Sequence, residues 1–374
     1  MENVSTFAVT RDCTVAMRLV VFGLSVSSSW GNGHATIWRG LIKALHALGH
    51  SVVFFERDVP YYAAHRDLAE LPGGRLVLYP DWESVLGAAR AALAEADVAV
   101  VTSYCPDGVD AASEVLDARV ELRVFYDLDT PVTLDRLRAG TPVPYIGPRG
   151  LADFDLVLSY TGGGALEALR DLLGARRVAP LYGSVDPDIH YPVSAVERYR
   201  ADLSYLGTYA EDRQQALVTL LVEPARLLPA RRFLVGGAQY PIEFPWADNI
   251  YFVRHLPPAE HAAFYSSSRL TLNVTRAPIA EMGYCPSGRL FEAAACGAPV
   301  LSDAWPGLDE FFTPGSEVLV ARTSGDSVAA AGTGDAELAR LGRAARERAL
   351  TDHTAVRRAG ELIALLEGAL SVGT

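Results

Sequence analysis

From Met17 onward, short runs of β-branched and apolar residues alternate with stretches whose apolar residues recur every three or four positions. The runs RLVVFGLSV, SVVFFERD, RLVLYP, DVAVVTSY, RVFYDLD, FDLVLSY and RVAPLYG read as strands. Helices are predicted over 35–48, 82–96 and 165–173. In the first of them Ile37, Leu41, Leu45 and Leu48 share one apolar face, and the glycine of LGH is placed to end it. Strands that are apolar almost throughout, alternating with helices, predict a parallel sheet covered on both faces.

Around GSVDPDIHYPVSAVERYRAD the rhythm breaks, with two prolines, several carboxylates and no apolar run, which reads as a linker. Alternation then resumes: DLSYLGTY, a helix from Asp212 to about Leu227, RRFLVGG, NIYFVRHL, a helix from Pro258, RLTLNVT, a helix from Ser287, PVLSDAW and EVLVAR. SGDSVAAAGTGDAE reads as a small-residue loop before two closing helical stretches. The fold class is therefore α/β: two Rossmann-like, doubly wound parallel sheets, over 17–187 and 200–350, facing a cleft. Residues 1–16 are expected to form a disordered extension. Ligands of such sheets bind outside the carboxyl ends of the strands, so an interdomain site is expected.

Composition narrows the partners. The 374 residues carry a net charge of −12, which argues against nucleic acid as a partner. Any anionic ligand must be held by local cations, and these are arginines, because Lys43 is the only lysine. Cys13, Cys105, Cys285 and Cys296 lack metal-ligand spacing, so no metal site is expected and the thiols suit a reducing cytoplasm. No run approaches the roughly 18 apolar residues of a membrane span, and the first residues lack a secretory signal pattern.

Three stretches carry candidate chemistry. In GYCPSGRLFEAAACGAPVLSD, Ser287 can cap a helix whose free amides and positive dipole end would receive an anion. Arg289 adds a forked donor, and Glu292, three residues on, offers a carboxylate to ribose hydroxyls. A plain surface ion pair at that spacing is the alternative. In SSSWGNGHATIW, Gly31 and Gly33 permit a tight turn or close approach of a ligand, and no third glycine completes a dinucleotide fingerprint. His34, at the start of the helix, is either a general base or a residue that caps its own helix. In VFYDLDTP, Asp127 and Asp129 form a short D-x-D string. It suits metal ligation, acceptor hydroxyls or simply a turn. YTGGGALEAL, from Tyr160, is a further glycine loop opening a helix.

RLFEAAACGAPVLSD, preceded by LTLNVTR, resembles the donor-binding segment of GT-B glycosyltransferases, and is most similar to the spore-maturation-type (CgeB-like) branch of the group 1 family. The likeness runs over most of residues 17–370, including VDPDIHYP and LSYLGTYAEDR. It implies a hexosyltransferase-type enzyme with the acceptor in the first domain, a nucleotide-diphosphate sugar in the second, and the last helix, about 354–370, crossing back to the first. It also implies that Glu292 meets the ribose and that Ser287, Gly288 and Arg289 meet the diphosphate. Gly207, Thr208, Arg213 and Asn273 would line the same pocket, and His255 would meet the base. On the other wall, where the resemblance implies that inverting members place their base, His34 is the candidate base and Asp127 a second catalytic candidate, with Gly31, Gly33 and Asp129 on the acceptor side. No cofactor is implied beyond the donor as co-substrate, no metal is expected on the diphosphate, and the acceptor is a small molecule or a glycan. Many retaining members have a glutamate eight positions before Glu292, where this chain has Tyr284. An epimerase or hydrolase on the same fold, and a non-catalytic nucleotide-sugar-binding protein, are the competing readings.

Overall fold

The computed structural model describes residues 16–371. Of the extension expected over 1–16, all but residue 16 lie outside the described residues. The first sheet contains β1 (Arg18–Gly23), β2 (Ser51–Arg57), β3 (Gly74–Tyr79), β4 (Val98–Thr102), β5 (Leu122–Asp127), β6 (Leu156–Ser159) and β7 (Val178–Pro180). Their order is β3-β2-β1-β4-β5-β6-β7, all parallel. The second contains β8 (Leu203–Leu206), β9 (Phe233–Gly237), β10 (Ile250–Arg254), β11 (Thr271–Asn273), β12 (Val300–Asp303) and β13 (Leu319–Ala321), ordered β10-β9-β8-β11-β12-β13 and again parallel. Both are Rossmann-like sheets, wound outward from β1/β4 and from β8/β11.

The uniformly apolar strands follow from burial on both faces: every residue of β4 and β8 is buried. The apolar stripe of the helix Gly33–Ala47 covers one face of the first sheet, and the final helix Ala355–Leu370 packs against it. Ala355, Ala359, Leu362, Ile363 and Leu366 join Leu41, Leu45 and Val100 in one core. Gly40 permits this approach, since a Cβ there would lie 3.3 Å from that of Ala355. The chain thus crosses between the domains twice, side by side. Val185 N donates to His353 O (2.9 Å) and Ala355 N to Val185 O (2.8 Å). Lys43 reaches the same crossing, pairing with Asp186 (2.8 Å) and Asp188 (2.7 Å).

One element differs from the sequence reading. SGDSVAAAGTGDAE is not a loop: Ser324–Ala331 is helical, and the next helix starts at Asp335. Thr323 and Asp326 close a reciprocal capping box, and the alanines behind them favour helix over coil. Small residues signalled a loop only because the cap was overlooked.

A buried carboxylate shapes the turn between β1 and its helix. Glu56, at the end of β2 and without solvent exposure, accepts from Ser25 Oγ (2.8 Å), Val26 N (2.7 Å), Ser27 N (2.9 Å) and Ser27 Oγ (2.6 Å). Asn32 then caps the helix through His34 N (3.1 Å) and ties back to Ser25 O and Ser28 O. Glu56→Gln turns an amide against two of these donors. It should cost about 3 kcal/mol, read as a lower denaturation midpoint with an unchanged slope.

At the second crossing, His353 lies beneath Phe291, Phe311 and Phe312, with Nε2 3.1 Å from Phe311 O. Burial pushes its imidazole down from 6.5 to about 4. The unfolded chain therefore takes up a proton that the folded chain refuses, and stability drains as the pH falls from the ordinary value through the folded one. The loss approaches about 3 kcal/mol. Denaturation midpoints measured at neutral pH and near pH 4.5 should diverge for the parent and less so for His353→Gln.

Candidate active site in the cleft

The second-domain wall is built at the carboxyl ends of β8, β9 and β11 and at the start of the helix Gly288–Ala295. Ser287 caps that helix, its hydroxyl accepting from Arg289 N at 3.3 Å. Arg289 turns inward over the ring of Tyr205 (5.1 Å to the centroid) and donates to Asn273 Oδ1 at 3.1 Å and Val274 O at 3.5 Å. Asn273 is itself buried and bonded to Ser302 and Asp303, so its part is to hold the guanidinium. Arg213 donates to Tyr205 Oη (3.2 Å) and to Thr208 O (3.0 Å). Gly207 is where the chain must lack a side chain. A Cβ there would lie 2.5 Å from Tyr205 Oη and 2.9 Å from Arg289 Nη2. Arg289, Arg213, Asn273, Gly207 and Thr208 therefore meet in one place.

Glu292 lies one turn further along, its Oε2 taking a hydrogen bond from Tyr265 Oη at 3.3 Å. His261 Nδ1 stands 3.6 Å and His190 Nε2 3.9 Å from the same oxygen. Burial alone would raise this carboxyl, but the neighbouring His190, His261 and Arg289 hold it at about 2. Oε1 faces Gly288, whose absent Cβ would lie 3.9 Å from it. His255 stands apart from this group. Its ring lies 3.8 Å from that of Trp30, whose other face stacks on His65 at 4.0 Å. Trp30 belongs to the first domain, so this sandwich spans the cleft.

On the first-domain wall Gly31 has φ +58, and Gly33 opens the helix. The turn presents His34, whose Nε2–H donates to Asp129 Oδ2 at 2.7 Å. Burial would raise Asp129, but its bond to His34, the charge of His34 and that of Arg276 outweigh burial and hold it below the ordinary carboxylate range. Asp127, expected among the catalytic residues, is buried beneath the cleft wall rather than open to it. It has no solvent exposure, and its Oδ1 accepts from Asp129 N at 3.0 Å. Burial pushes its carboxyl up to about 6. It shapes the turn, and Asp129, with 27% of its side chain exposed, is the carboxylate at the cleft. The D-x-D string breaks this way because β5 ends at Asp127.

Arg276 and Tyr104 escaped the sequence reading, and the part played by Tyr284 shows only in the structure. Arg276, after LTLNVT, pairs with Asp212 at 2.8 Å, and its charge is among those that lower Asp129. Tyr104, at φ +60, sets its ring edge against His34. Tyr284, at φ +50, occupies the position where a retaining member would carry glutamate. Its carbonyl accepts from Gly162 N (2.9 Å), and Tyr160 Oη donates to Pro286 O (2.8 Å). A Cβ on Gly163 or on Gly307 would come within 2.5 Å of the Tyr284 ring. The glycine loop of YTGGG is thus a seat for a tyrosine of the other domain. An unusual cluster of three glycines was its one sequence signal.

Comparisons with known proteins follow this architecture. Residues 213–364 match the family model described as glycosyl transferase-like. Curated protein sequences give no match. Sucrose-phosphate synthase from Thermosynechococcus elongatus superposes with a TM-score of 0.70 at 16% identity, over 95% of this chain and 100% of that one. Anabaena HepE in complex with UDP and glucose gives 0.65 at 14%, over 94% and 99%. A glycosyltransferase from Rickettsia africae gives 0.62 at 11%, over 95% and 98%. Such low identities establish the fold, and the fold is GT-B in both domains. Among the described residues no helix is long and apolar enough to cross a membrane. Residues 213–364, most of the second domain, are thus similar to the glycosyl transferase-like family, and the two domains together have the GT-B fold.

Proposed function

We propose that the protein is a cytoplasmic enzyme that transfers a sugar from a nucleoside diphosphate sugar to a hydroxyl of a small-molecule or glycan acceptor. The observation that carries this reading is the pairing of two unlike sites across one cleft. A desolvated arginine and glutamate stand at a helix start on one wall, and a histidine–aspartate pair stands on the other. Arg289, Arg213 and the first amides of the helix Gly288–Ala295 take the diphosphate, and Glu292 takes the ribose hydroxyls. His255 is assigned to the base. The Anabaena HepE complexes contain UDP or UDP-glucose, so uridine diphosphate sugars are the first donors to try.

As the bond from the sugar to the diphosphate breaks, negative charge grows on the leaving phosphate. Fixed cations beside it stabilise that charge more than the ground state, which is what accelerates transfer. Arg213, Arg276 and Arg289 serve this purpose, so added magnesium should leave kcat unchanged. Asp129 orients the acceptor hydroxyl, and the His34–Asp129 pair receives its proton. His34 Nε2 holds Asp129 in place and its Nδ1 is buried without a partner among the described residues, so the proton enters the pair at the more exposed Asp129 carboxylate.

A thermal-shift screen of nucleoside diphosphates tests the donor site. A cognate nucleotide at 100 times its Kd should stabilise the protein by about 2.7 kcal/mol, and no response to any of them would overturn the reading. In calorimetry, Glu292→Ala should weaken nucleotide binding about tenfold or more. Arg289→Ala should cost at least as much for a diphosphate and little for the bare nucleoside.

His34→Ala and Asp129→Asn should each lower kcat by roughly 10²–10⁴ while nucleotide affinity stays close to that of the parent. Turnover near the parental rate in both variants would remove the pair from the reaction.

A further inference from the structure

The donor-site reading uses Glu292, and beside it stand one buried and one half-buried histidine that the transfer itself does not use. His190, from the linker, is 2% exposed, and neither of its ring nitrogens has a hydrogen-bond partner among the described residues. His261, on the helix Pro258–Ser266, lies 5.9 Å away ring to ring. Its Nε2 sits 3.3 Å from Leu256 O, a carbonyl that can only accept, so the proton belongs on Nε2. Nδ1 then turns a lone pair towards Glu292 Oε2 at 3.6 Å. A lone pair aimed at a carboxylate oxygen is repulsive unless a proton or a metal ion lies between them.

We propose that His190, His261 and Glu292 form a binding site for a single zinc ion. The three ligand atoms lie within 4.8 Å of one another, and those of His190 and His261 are 3.9 and 3.6 Å from Oε2. Tetrahedral zinc with bonds near 2.0–2.1 Å wants its ligands about 3.4 Å apart, so modest side-chain shifts close the site. Two imidazoles and one carboxylate suit zinc better than magnesium or calcium, which prefer all-oxygen sets. The carbonyl of Leu256 fixes the His261 tautomer in the way that outer partners of zinc-bound histidines do. Water fills the fourth position. The ion ties the linker to two helices of the second domain and sets the orientation of Glu292 through Oε2, with Oε1 still turned to the first turn of its helix. Successive ligands stand 71 and 31 residues apart along the chain, so no short motif marks the site.

The test is zinc alone, added without nucleotide to chelator-stripped full-length protein, so that its failure and that of the donor-site reading are separable. Equilibrium dialysis should find one equivalent bound at micromolar or tighter affinity, weakened at least about tenfold in His261→Ala and in His190→Ala. Cobalt(II) in place of zinc should give the visible absorption of a tetrahedral nitrogen and oxygen set, a readout on the parent protein that stands even if a variant fails to fold. No stoichiometric binding would show that a proton on His261 is what lies between the groups, and would overturn the proposal. So would binding that persists unchanged in both folded variants, or a cobalt spectrum of octahedral type.

Discussion

A carboxylate with no contact with solvent governs the first-domain wall of the cleft. Glu56 can be buried because four donors from a three-residue stretch, Ser25 to Ser27, converge on it. An unpaired charge in that position would be far too costly, so the stretch has little freedom to do anything else. The constraint propagates along the chain. Ser28 and Asn32 are fixed by the same turn, the helix starts where Asn32 caps it, and His34 emerges at an angle that meets Asp129. Trp30, carried on the turn, is thereby placed between His65 and His255.

The opposite wall solves a different electrostatic problem. Arg289 and Glu292 are both half-buried, and each is held by polar groups that do not neutralise it completely. Asn273 and Val274 give Arg289 carbonyl oxygens, and Tyr205 gives it an aromatic face. None of these satisfies the whole guanidinium, and the remaining donors suit a ligand with several anionic oxygens. Preorganisation is therefore expressed as residual charge rather than as an open hole.

Much of the architecture was legible because parallel strands buried on both faces leave a strong apolar signal, and the linker interrupts it with prolines and carboxylates. The Arg289–Glu292 segment was legible for a local reason, since cap, cation, carboxylate and closing glycine all lie within one short stretch. What escaped depends on contacts between distant segments. Glu56 reads as an ordinary polar residue at a strand end, and nothing near Arg276 reveals its pairing with Asp212, 64 residues away. Asp127 and Asp129 differ in exposure for a geometric reason: alternate residues share a face only while a strand continues, and β5 stops between them. The helix at Ser324 was lost because small residues were weighed without their cap.

The last helix belongs to the core of the first domain, and this has a consequence for synthesis. A chain emerging from the ribosome can complete the second sheet, whose strands are contiguous, before its end is made. The first sheet, although translated earlier, must wait with an apolar flank around Leu41, Leu45 and Val100 uncovered until Ala355–Leu370 arrives. The domain made first is thus finished last, and a chain cut short even by its final helix would leave that flank open to chaperones and to aggregation.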